Sequence, residues 1–521
     1  MPAEFFEPGR NCWSLRSSSF SGAVVDGLAY YEAFARAALA AERQLFIAGW
    51  QFDTTVELIR GEAAETFGAP TSLLAFLNHL CEIKPQLEIY ILAWDFSFVF
   101  GLDREWKQEW LFNWHGGPRI HFQFDRRHPV GACNHEKLVV VDGWWAFLGG
   151  MDLCNGRWDI PGHPFRDPRR RNADGTVYPP KHDVQAVLEG PPAEELAWWF
   201  VRQWRTATNE PIADPVVIPK EKRPFRPTVE IPAGPVALSQ TRGRLILPPR
   251  RPVTQIQRLV VDAIASTRRT LYIENQYLTS KAVHDALRDL LNRSDAPLEI
   301  AVMMPLDRAG LEFYTIAGAE QKLIEELMRL ARRRGHRLGV FHPIAADSDG
   351  ARSVWVHSKL LIVDDSFLMI GSSNFANRSM GFDTEINASW FAEAGSPTAL
   401  AIADLRARLL AEHLGFEIET APEPLRRLTG IVEAVETFGV RRGKVRRYSP
   451  PALSRLVASF NSQKTIIDPE ATPIEDSIDS LMRDSSSSPV ARSLASLIEW
   501  MSLRRRRARR HRATVSPKNA R

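Results

Sequence analysis

Short apolar runs alternate with amphipathic helical patterns along most of the chain. The runs LEIYILAW, which begins at Leu87, and LLIV, which begins at Leu360, are rich in aliphatic residues and predict buried strands. Residues 27–42 and 254–268 carry apolar side chains at helical spacing and predict amphipathic helices. Strands without a polar face must be covered on both sides, so the pattern predicts α/β layers.

The order of these elements occurs twice. RQLFIAGWQF from Arg43 corresponds to RTLYIENQYL from Arg269, and NHEKLVVVDG from Asn134 corresponds to VHSKLLIVDD from Val356. Five such pairs of strand-like runs follow one another in the same order, with offsets between 202 and 226 residues. A collinear repeat of this length indicates two units of similar fold. We therefore predict an α/β protein with two tandem α/β/α sandwich lobes, related by a pseudo-twofold axis.

Composition indicates the boundaries of these lobes. Ten prolines fall between Pro211 and Pro252, a density that predicts a semi-rigid connector without a continuous helix or a central strand. Periodic patterns weaken after Ile418, and DSLMRDSSSSP at 479–489 is of low complexity. The expected segments are a first lobe at 1–210, a connector at 211–252, a second lobe at 253–418 and a carboxy-terminal extension at 419–521 with a disordered basic tail.

The most similar point of the repeat carries the candidate catalytic residues. Both halves contain His-x-Lys, four further residues and Asp, which gives His135, Lys137, Asp142, His357, Lys359 and Asp364. Residues two positions apart in a strand point to the same face, so each histidine is expected to project together with its lysine. Each aspartate follows an apolar run, where its carboxylate can accept hydrogen bonds from the N–H groups of a turn.

Two imidazoles and two ammonium groups suit the chemistry of a phosphodiester. One neutral histidine can attack phosphorus while the other, protonated, donates its proton to the leaving oxygen. The lysines can neutralise the nonbridging oxygens through charge-assisted hydrogen bonds worth about 1.5 to 3 kcal/mol each. Because side chains supply these cations, we expect no metal and no cofactor in the reaction; His135 also lacks the second histidine of a zinc-binding helix.

These residues resemble the phospholipase D superfamily, whose signature H-x-K-x4-D-x6-G-[GS] occurs twice, and the resemblance covers about residues 24–418. Several segments are similar to the phosphatidylcholine-type branch: GGMDLCNGRWD (149–159), KHDV (181–184), YIENQYL (272–278), GSSNFANRSM (371–380), DTEIN (383–387) and EHLG (412–415). Relatives in this branch often carry PX and PH, or C2, modules. We expect these modules to be absent, because the first lobe begins within about 25 residues of Met1.

The resemblance implies roles for the histidines and their phosphate-binding neighbours. His135 would be the nucleophile that forms a phosphohistidine, and His357 would protonate the departing alcohol. His357 would then activate water, or a primary alcohol in transphosphatidylation. Lys137, Lys359 and Asn374 would hold the phosphate.

Three acidic residues also have implied roles. Asp152 stands where many superfamily members have asparagine, and it would either help to hold the phosphate or orient a neighbouring side chain. Asp183 and Glu385 occupy equivalent places in the repeat and would orient the two histidines through their second nitrogens, as the carboxylate of a catalytic triad does. In the family this pairing crosses the lobes, and the sequence leaves open which carboxylate meets which histidine.

Two further segments are candidates for contact with lipid. The family pattern is interrupted between Asp159 and His182 by a Pro/Gly/Arg-rich loop, which is either a solvated excursion or a surface that brings 169–171 (RRR) to an anionic headgroup. The run FSFVFGL at 96–102 precedes Trp106, Trp110 and Trp114. These aromatic side chains belong either to the core or to a loop that meets acyl chains.

Charge is unevenly distributed along the chain. The sequence has 66 basic and 62 acidic residues, a formal net charge of +4. Nine basic residues and no acidic residue lie in the basic tail, Arg504–Arg521, so the rest of the chain has 57 basic against 62 acidic residues, a balance of −5. An acidic body argues against nucleic acid as a partner. The basic tail is either a solvated end or a tether to an anionic membrane, where each cation contributes about 1 kcal/mol.

Cysteine usage and hydropathy give the expected location. We find no run of about 18 apolar residues that predicts a membrane span, and 1–11 lacks the apolar stretch of a secretory signal. Cys12, Cys81, Cys133 and Cys154 have neither C-x-x-C spacing nor the density of a disulfide scaffold, which predicts reduced, buried thiols. We expect a cytoplasmic protein with peripheral membrane contact, and no need for oligomerisation, since one chain carries both copies of the signature.

The preferred hypothesis is a phospholipase D that acts on a glycerophospholipid, with water or an alcohol as acceptor. One alternative is a cardiolipin-synthase-like phosphatidyltransferase; such synthases often carry amino-terminal membrane helices, which this sequence does not predict. Another is a nuclease or phosphodiesterase, which would favour a basic groove. The last alternative is a lipid-binding scaffold without catalytic activity. The intact pairs of His and Lys in both halves argue against it.

Overall fold

The computed structural model describes residues 5–95, 108–129, 131–245, 249–306, 311–417, 420–449 and 468. The strands, in chain order, are β1 (Ser14–Ser18), β2 (Phe20–Val25), β3 (Gln44–Gly49), β4 (Glu88–Trp94), β5 (Ile120–Asp125), β6 (Leu138–Val141), β7 (Trp145–Gly149), β8 (Lys181–His182), β9 (Val184–Glu189), β10 (Val229–Ile231), β11 (Gly234–Arg242), β12 (Val253–Thr254), β13 (Thr270–Glu274), β14 (Glu299–Met303), β15 (Arg337–Asp347), β16 (Gly350–Ser353), β17 (Trp355–Val356), β18 (Leu360–Val363), β19 (Phe367–Gly371), β20 (Glu385–Phe391) and β21 (Val445–Arg447). The helices are α1 (Asp26–Leu39), α2 (Glu62–Thr66), α3 (Leu73–Ile83), α4 (Gln108–His115), α5 (Pro191–Thr208), α6 (Gln255–Ser266), α7 (Lys281–Arg293), α8 (Leu311–Arg334), α9 (Asn377–Gly381), α10 (Pro397–His413), α11 (Glu423–Arg426) and α12 (Ile431–Ala434), and a π-helical turn follows at Val435–Val440.

Two large sheets show the same strand order. In the described residues, the first sheet runs β10-β2-β9-β7-β6-β3-β4-β5 and the second runs β1-β11-β20-β19-β18-β13-β14-β15-β16. In each, three parallel strands (β3, β4, β5 or β13, β14, β15) join a strand that carries the apolar run of the signature, β6 or β18, in antiparallel pairing. The repeat seen in the sequence is therefore a repeat of topology, and the prediction of an α/β fold is confirmed.

The sheets face one another across a shared hydrophobic core. Phe46 and Leu148 of the first sheet lie in the same buried cluster as Leu238 and Ile370 of the second, and side chains of α5 and α10 complete it. The outer face of the first sheet is covered by α1 and α3, and that of the second by α6 and α7. Burying aliphatic side chains on both faces of each sheet is what the uninterrupted apolar runs require.

The proline-rich segment contains two strands, so the expectation that it lacks a central strand is wrong. In that segment, β10 pairs with β2 of the first sheet, while β11 lies between β1 and β20 in the second. The prolines flank this strand, because Pro235 is its second residue and 236–242 contains none. A proline count over the whole segment concealed this proline-free run.

Both ends of the predicted lobes also differ in detail from the structure. Strand β1 lies in the second sheet although it precedes the first lobe's other strands. Part of the expected extension is folded, since α11 and α12 follow α10 and β21 pairs with β15. The domain boundaries stay a prediction, and the basic tail lies outside the described residues. Cys12, Cys81, Cys133 and Cys154 are buried and unpaired, as predicted.

None of the described helices is both long and apolar enough to cross a lipid bilayer.

Candidate active site

Two short parallel pairings bring the halves of the chain together at the site. Strand β8 pairs with β17, so that His182 lies opposite Val356, and the backbone N–H of His357 donates to the carbonyl of His182 at 2.8 Å. The equivalent bridge joins Asn134 to Thr384, and the N–H of His135 donates to the carbonyl of Thr384 at 2.9 Å. Each signature histidine is therefore held next to the residue that precedes the other half's carboxylate.

The two histidine–carboxylate pairs cross between the halves. His135 Nδ1 lies 3.1 Å from each oxygen of Glu385, and His357 Nδ1 lies 2.8 Å from Asp183 Oδ2. Neither Nε2 atom has a hydrogen-bond partner in the part of the chain that the structure describes. A ring held through Nδ1 has a fixed orientation and tautomer and presents Nε2 to a reactant. The pairing that the sequence left open is thus His135 with Glu385 and His357 with Asp183.

The surroundings of the two carboxylates differ. Glu385 is fully buried and accepts hydrogen bonds from the hydroxyls of Ser372 and Ser379 at 2.5 and 2.6 Å. Burial raises the pKa of Glu385 to about 8. Burial also raises the pKa of Asp183, to about 6, although the nearby Lys359 lowers it.

A glycine makes room for one of these carboxylates. A Cβ atom on Gly150 would collide with the carboxylate of Asp183 and lie 2.8 Å from the carbonyl oxygen of His357. The equivalent residue of the second half is Ser372, whose hydroxyl donates to Glu385 instead. The glycine or serine of the signature is therefore explained by the size of the space beside each carboxylate.

Burial and nearby cations favour the neutral form of both histidines in the free protein. Burial, followed by Lys137 and Lys359, lowers the pKa of His135 well below its usual value. Burial, followed by Lys359 and Arg157, does the same to His357. An anion between the two rings would oppose these cations and favour protonation. The site is therefore electrostatically prepared for a negatively charged ligand.

The two lysines differ in their partners. Lys137 Nζ donates to the carbonyl of His135 at 2.9 Å and lies 3.2 Å from Asp152 Oδ2. Lys359 Nζ donates to the carbonyl of His357 at 2.6 Å, and no carboxylate among the described residues lies within ion-pair distance of it. Burial lowers the pKa of Lys359 to about 7. The contact of Asp152 with Lys137 favours its interpretation as a group that orients a neighbour.

Asn374 takes the place of Asp152 in the second half. Its side chain is buried, and its Oδ1 atom has no hydrogen-bond partner within the described ranges. Buried polar atoms are normally satisfied. The amide is therefore available to a ligand in the site, which agrees with the phosphate-binding role that the sequence predicted.

Asp142 and Asp364 are not part of this site, so their assignment to the catalytic set is wrong. Asp142 accepts hydrogen bonds from the N–H groups of Glu42, Arg43 and Gln44, and Asp364 from those of Arg268, Arg269 and Thr270, at 2.7 to 2.9 Å. Each lies at the end of its strand, β6 or β18, that is remote from the histidine. Their carboxylates fasten the start of β3 and of β13, as the alternative role in a turn predicted.

Two cations at the site were not recognised as functional in the sequence. Besides burial, the positive charge of the partly buried Arg157 contributes to the lowered pKa of both His357 and Lys359. Lys181 Nζ lies 4.4 Å from the ring centroid of Trp355, and burial lowers its pKa well below the usual value. Both stand in segments that resemble the family, GRWD and KHDV, but nothing in their spacing linked them to the histidines.

The arginine-rich loop is ordered and only partly exposed. Arg170 is buried, 3.0 Å from Asp159, and donates to the carbonyls of Pro164 and Phe165. Arg169 forms an ion pair with Asp167 at 2.7 Å. The interpretation that all three arginines face a headgroup is therefore wrong for Arg170, because its guanidinium is fully engaged inside the protein.

The aromatic candidates divide into described and undescribed residues. Trp110 and Trp114 stack at 5.9 Å on α4, with 49% and 72% of their surface exposed, so neither belongs to the core. The run at 96–102 and Trp106 lie outside the described residues.

Sequence comparison agrees with this geometry. The family model described as "Cardiolipin synthase, PLD-like domain" matches residues 260–401. Phospholipase D1 of Saccharomyces cerevisiae is 25% identical over 505 residues, which cover 78% of this chain and 29% of that protein. Phospholipase D alpha 1 of Carica papaya is 23% identical over 515 residues, covering 74% of this chain and 63% of the relative. The chain thus spans less than two thirds of the length of either relative.

Structural comparison supports the fold. A crystal structure of phosphatidylserine synthase from Haemophilus influenzae superposes with a TM-score of 0.50 at 11% identity, covering 81% of this chain and 93% of the synthase. The shared topology and the crossed pairs define a two-lobed α/β protein with one paired His–Lys site. Over most of its length the chain is similar to members of the phospholipase D superfamily.

Proposed function

We propose that this chain is a phospholipase D of the phosphatidylcholine-type branch, which hydrolyses the distal phosphodiester of a glycerophospholipid to phosphatidate and a free headgroup. One observation carries the proposal: each signature histidine is held through Nδ1 by a carboxylate of the other half, at 3.1 and 2.8 Å. Two oriented Nε2 atoms next to two lysines provide a nucleophile, a proton donor and a phosphate-binding set at one place. Two relatives named phospholipase D support the choice of reaction.

In the first step, His135 Nε2 attacks phosphorus and forms a P–N bond. The bond between phosphorus and the headgroup oxygen breaks, and His357 donates its proton to that oxygen. Glu385 stabilises the positive charge that develops on His135, at 3.1 Å from its Nδ1. The product is a phosphatidyl-histidine and a free headgroup alcohol.

In the second step, the neutral His357 takes a proton from the acceptor. The acceptor oxygen attacks phosphorus, the P–N bond breaks, and His135 returns to its neutral form. With water the product is phosphatidate, and with a primary alcohol it is a new phosphatidyl ester. Asp183, 2.8 Å from His357 Nδ1, stabilises the imidazolium in both steps.

The phosphate supplies a charge that the free site lacks. Burial and nearby cations lower the pKa of His357 in the free protein, so the acid must gain its proton in the presence of an anion. Lys137, Lys359 and Asn374 would hold the nonbridging oxygens, with Arg157 contributing a long-range positive potential. The negative charge of the bound substrate thus favours the protonation of His357, which the cleavage step requires.

The phospholipid and its acceptor are the partners that this proposal requires. The basic tail, Arg504–Arg521, is proposed as a peripheral tether to an anionic membrane, because nine cations without an acid are attracted to a negative surface. One chain supplies both histidine–carboxylate pairs, so the proposed reaction does not depend on oligomerisation.

A second candidate is a phosphatidyltransferase that uses the hydroxyl of another phospholipid as acceptor. The match of residues 260–401 to a model described as a cardiolipin synthase domain favours it. The first step is shared by both reactions, and only the acceptor of the second step differs. Supplying phosphatidylglycerol with limited water access separates them by product.

The proposal is tested by incubating the full chain with phosphatidylcholine vesicles and butanol. The wild type is expected to form phosphatidylbutanol, and His135→Asn and His357→Asn are expected to form none above background. A His336→Gln variant, which changes a buried histidine remote from the signature, is the control and should retain activity. If the wild type is inactive, or if both signature variants equal it, the proposal fails. Plasmid DNA in a parallel assay tests the nuclease alternative.

A further inference from the structure

A second cluster of buried ionisable side chains lies beside the candidate active site. It consists of Asp26, His163, His182 and Glu412, and the exposed fraction of these side chains is between 0 and 11%. They come from the start of α1, the arginine-rich loop, β8 and the end of α10. No step of the proposed reaction uses any of them.

The four side chains meet at one place, where Asp26 faces His163 with Oδ2 and His182 with Oδ1. His163 Nε2 lies 2.9 Å from Glu412 Oε1 and 3.7 Å from Asp26 Oδ2. His182 Nδ1 lies 3.0 Å from Asp26 Oδ1 and 3.5 Å from Glu412 Oε1. One ligand atom from each of the four residues can be chosen so that all lie within 4.8 Å of one another.

These atoms are close together without satisfying one another by hydrogen bonds. Asp26 Oδ2, His163 Nε2, His182 Nδ1 and Glu412 Oε1 are buried and have no hydrogen bond of acceptable geometry among the described residues. Four such atoms at one place are exceptional, because buried polar atoms are almost always paired. Lone pairs that point to a shared centre rather than to each other would produce this arrangement.

The size of the cluster fits a zinc ion. Zinc binds imidazole nitrogen and carboxylate oxygen at about 2.0 to 2.2 Å, so the edges of its coordination tetrahedron are about 3.3 to 3.6 Å. With one oxygen of Asp26 in the set, three separations can be compared with that range: 2.9 and 3.5 Å from Glu412 Oε1 to the two imidazoles, and either 3.0 or 3.7 Å from Asp26 to one of them. They lie on either side of the expected edge, and all six separations are within 4.8 Å. Two carboxylates and two neutral imidazoles would also balance the charge of a divalent cation.

The second nitrogen of each histidine is held as in known metal sites. His163 Nδ1 lies 3.1 Å from Asp159 Oδ2, and His182 Nε2 lies 2.9 Å from Glu274 Oε2. A metal-bound histidine generally donates its other N–H to a carboxylate or a carbonyl, which fixes its orientation. Asp159 is in turn fixed by Arg170 at 3.0 Å. The outer hydrogen bonds are therefore already in place.

Glu274, which lies on the other side of His182, is excluded as a ligand by its own contacts. Glu274 Oε1 accepts from the hydroxyl of Tyr272 at 2.6 Å and pairs with His413 Nε2 at 2.9 Å. Its Oε2 accepts from the hydroxyl of Ser358 at 2.7 Å and pairs with His182. With both oxygens engaged twice, Glu274 can support His182 but has no free lone pair for a cation.

We propose that Asp26, His163, His182 and Glu412 bind one divalent cation of the zinc class. Four protein ligands close the coordination sphere, so the role is structural and not that of a water-activating centre. Glu412 follows the proline-rich segment and the other three precede it, so the cation fastens the two halves of the chain together. Since the carbonyl of His182 accepts the N–H of His357, the fastening point is adjacent to the active site.

Within the described ranges, this site has no counterpart in the other half of the repeat. Thr384 takes the place of His182, and its hydroxyl donates to the side chain of Asn134 at 3.1 Å. The second half thus has a hydrogen bond between two neutral side chains at the position where the first half has the cluster of four ionisable side chains. Cation binding at this cluster is independent of the proposed reaction, so either could be disproved without affecting the other.

The test is the zinc content of the full-length protein, produced with zinc in the medium and dialysed against metal-free buffer. Inductively coupled plasma mass spectrometry should find about one zinc per folded wild-type chain, and less than about a tenth of that in Glu412→Gln and His163→Gln. His336→Gln alters a buried histidine whose partners are the backbone groups of Leu291 and Leu298, and it should keep its zinc.

If the variants do not fold, a spectroscopic measurement on the wild type still tests the proposal. Replacement of zinc by Co²⁺ should give the intense visible absorption of a tetrahedral cobalt centre, and removing the ion with a chelator should lower the melting temperature. Folded wild type without zinc and without the cobalt absorption overturns the proposal. Equal zinc content in wild type, Glu412→Gln and His163→Gln also overturns it. In that case the cluster is a network of two imidazolium rings and two carboxylates.

Discussion

The two histidine–carboxylate pairs cross between the halves in the same way but have different electrostatic surroundings. Around Glu385, the partner of His135, two serine hydroxyls supply neutral hydrogen bonds, and the nearby Lys137 is paired with a carboxylate. Around Asp183, the partner of His357, the nearby lysine has no such partner. The backbone pairing that crosses the halves is therefore the same at both histidines, while the charges around the two rings differ. The unequal roles proposed for the two histidines would follow from this difference in charge.

Substitution of the two signature histidines should reduce the reaction rate most. A substrate whose leaving group needs no proton separates the role of one histidine from that of the other. A phosphatidyl ester of p-nitrophenol has a leaving group that needs no proton. His357→Asn should therefore still release a burst of about one nitrophenol per chain, whereas His135→Asn should lose at least about 10⁴-fold in rate and show no burst. Stopped-flow absorbance measures both. A burst in His135→Asn that is absent in His357→Asn would reverse the proposed roles.

The carboxylates should give the next largest effects, and unequal ones. Burial raises the pKa of Glu385 to about 8 and that of Asp183 only to about 6, so the charged form that stabilises the imidazolium is less favoured at Glu385. Glu385→Gln should therefore lower kcat at neutral pH by about tenfold, less than the loss of the Asp183 carboxylate. Asp183→Asn should cost about 10²- to 10⁴-fold, as loss of the carboxylate from a triad does. Rates from pH 6 to 9 provide the check.

The pH profiles add a readout that a purely structural role would not change. The wild-type rate should change as Glu385 ionises near pH 8, and the profile of Glu385→Gln should lack that inflection. The same inflection in wild type and variant would show that another group titrates there.

The pairing of Lys137 with Asp152 predicts a smaller effect, on stability. Asp152→Asn leaves a buried ammonium without its counter-charge and should lower the free energy of unfolding by about 3 kcal/mol. Urea unfolding measures this change. Asp174→Asn, at an exposed carboxylate, is the matched control and should leave the midpoint of urea unfolding unchanged. If both variants unfold at the same denaturant concentration as the wild type, the ion pair contributes nothing.

The smallest effect concerns the residue between each histidine and lysine. This residue is Glu136 in the first half and Ser358 in the second, and burial raises the pKa of Glu136 to about 8. The folded protein then holds a proton that the unfolded chain releases near pH 4.5, so stability falls as pH rises from 4.5 to 8. Glu136→Gln removes this penalty. It should raise stability on the order of 2 kcal/mol at pH 9 and leave it unchanged at pH 4.5.

Thermal unfolding at the two pH values checks this prediction. Because glutamine has nearly the shape of glutamate, the difference between the two values isolates the charge. An equal change in melting temperature at pH 4.5 and pH 9 would assign the effect to packing.

The sequence predicted the repeat of elements and the histidines, because apolar runs and collinear spacing are local properties. It did not predict the partner of each ring, since Glu385 lies 250 residues from His135 and only the parallel bridges between the halves join them. It placed Asp142 and Asp364 in the catalytic set because they belong to the signature, although a strand separates each from its histidine. The buried cluster escaped notice for the same physical reason: Asp26 and Glu412 meet only in the folded chain.

One measurement tests the central claim most directly, namely that His135 carries the phosphatidyl group and His357 the proton. His357→Asn is mixed with the p-nitrophenyl substrate, quenched at the end of the burst, digested under conditions that preserve phosphohistidine, and analysed by peptide mass spectrometry. The account predicts a phosphatidyl adduct on the peptide that contains His135, at about one per chain. Nitrophenol release without an adduct on that peptide, or an adduct on any other residue, would contradict it.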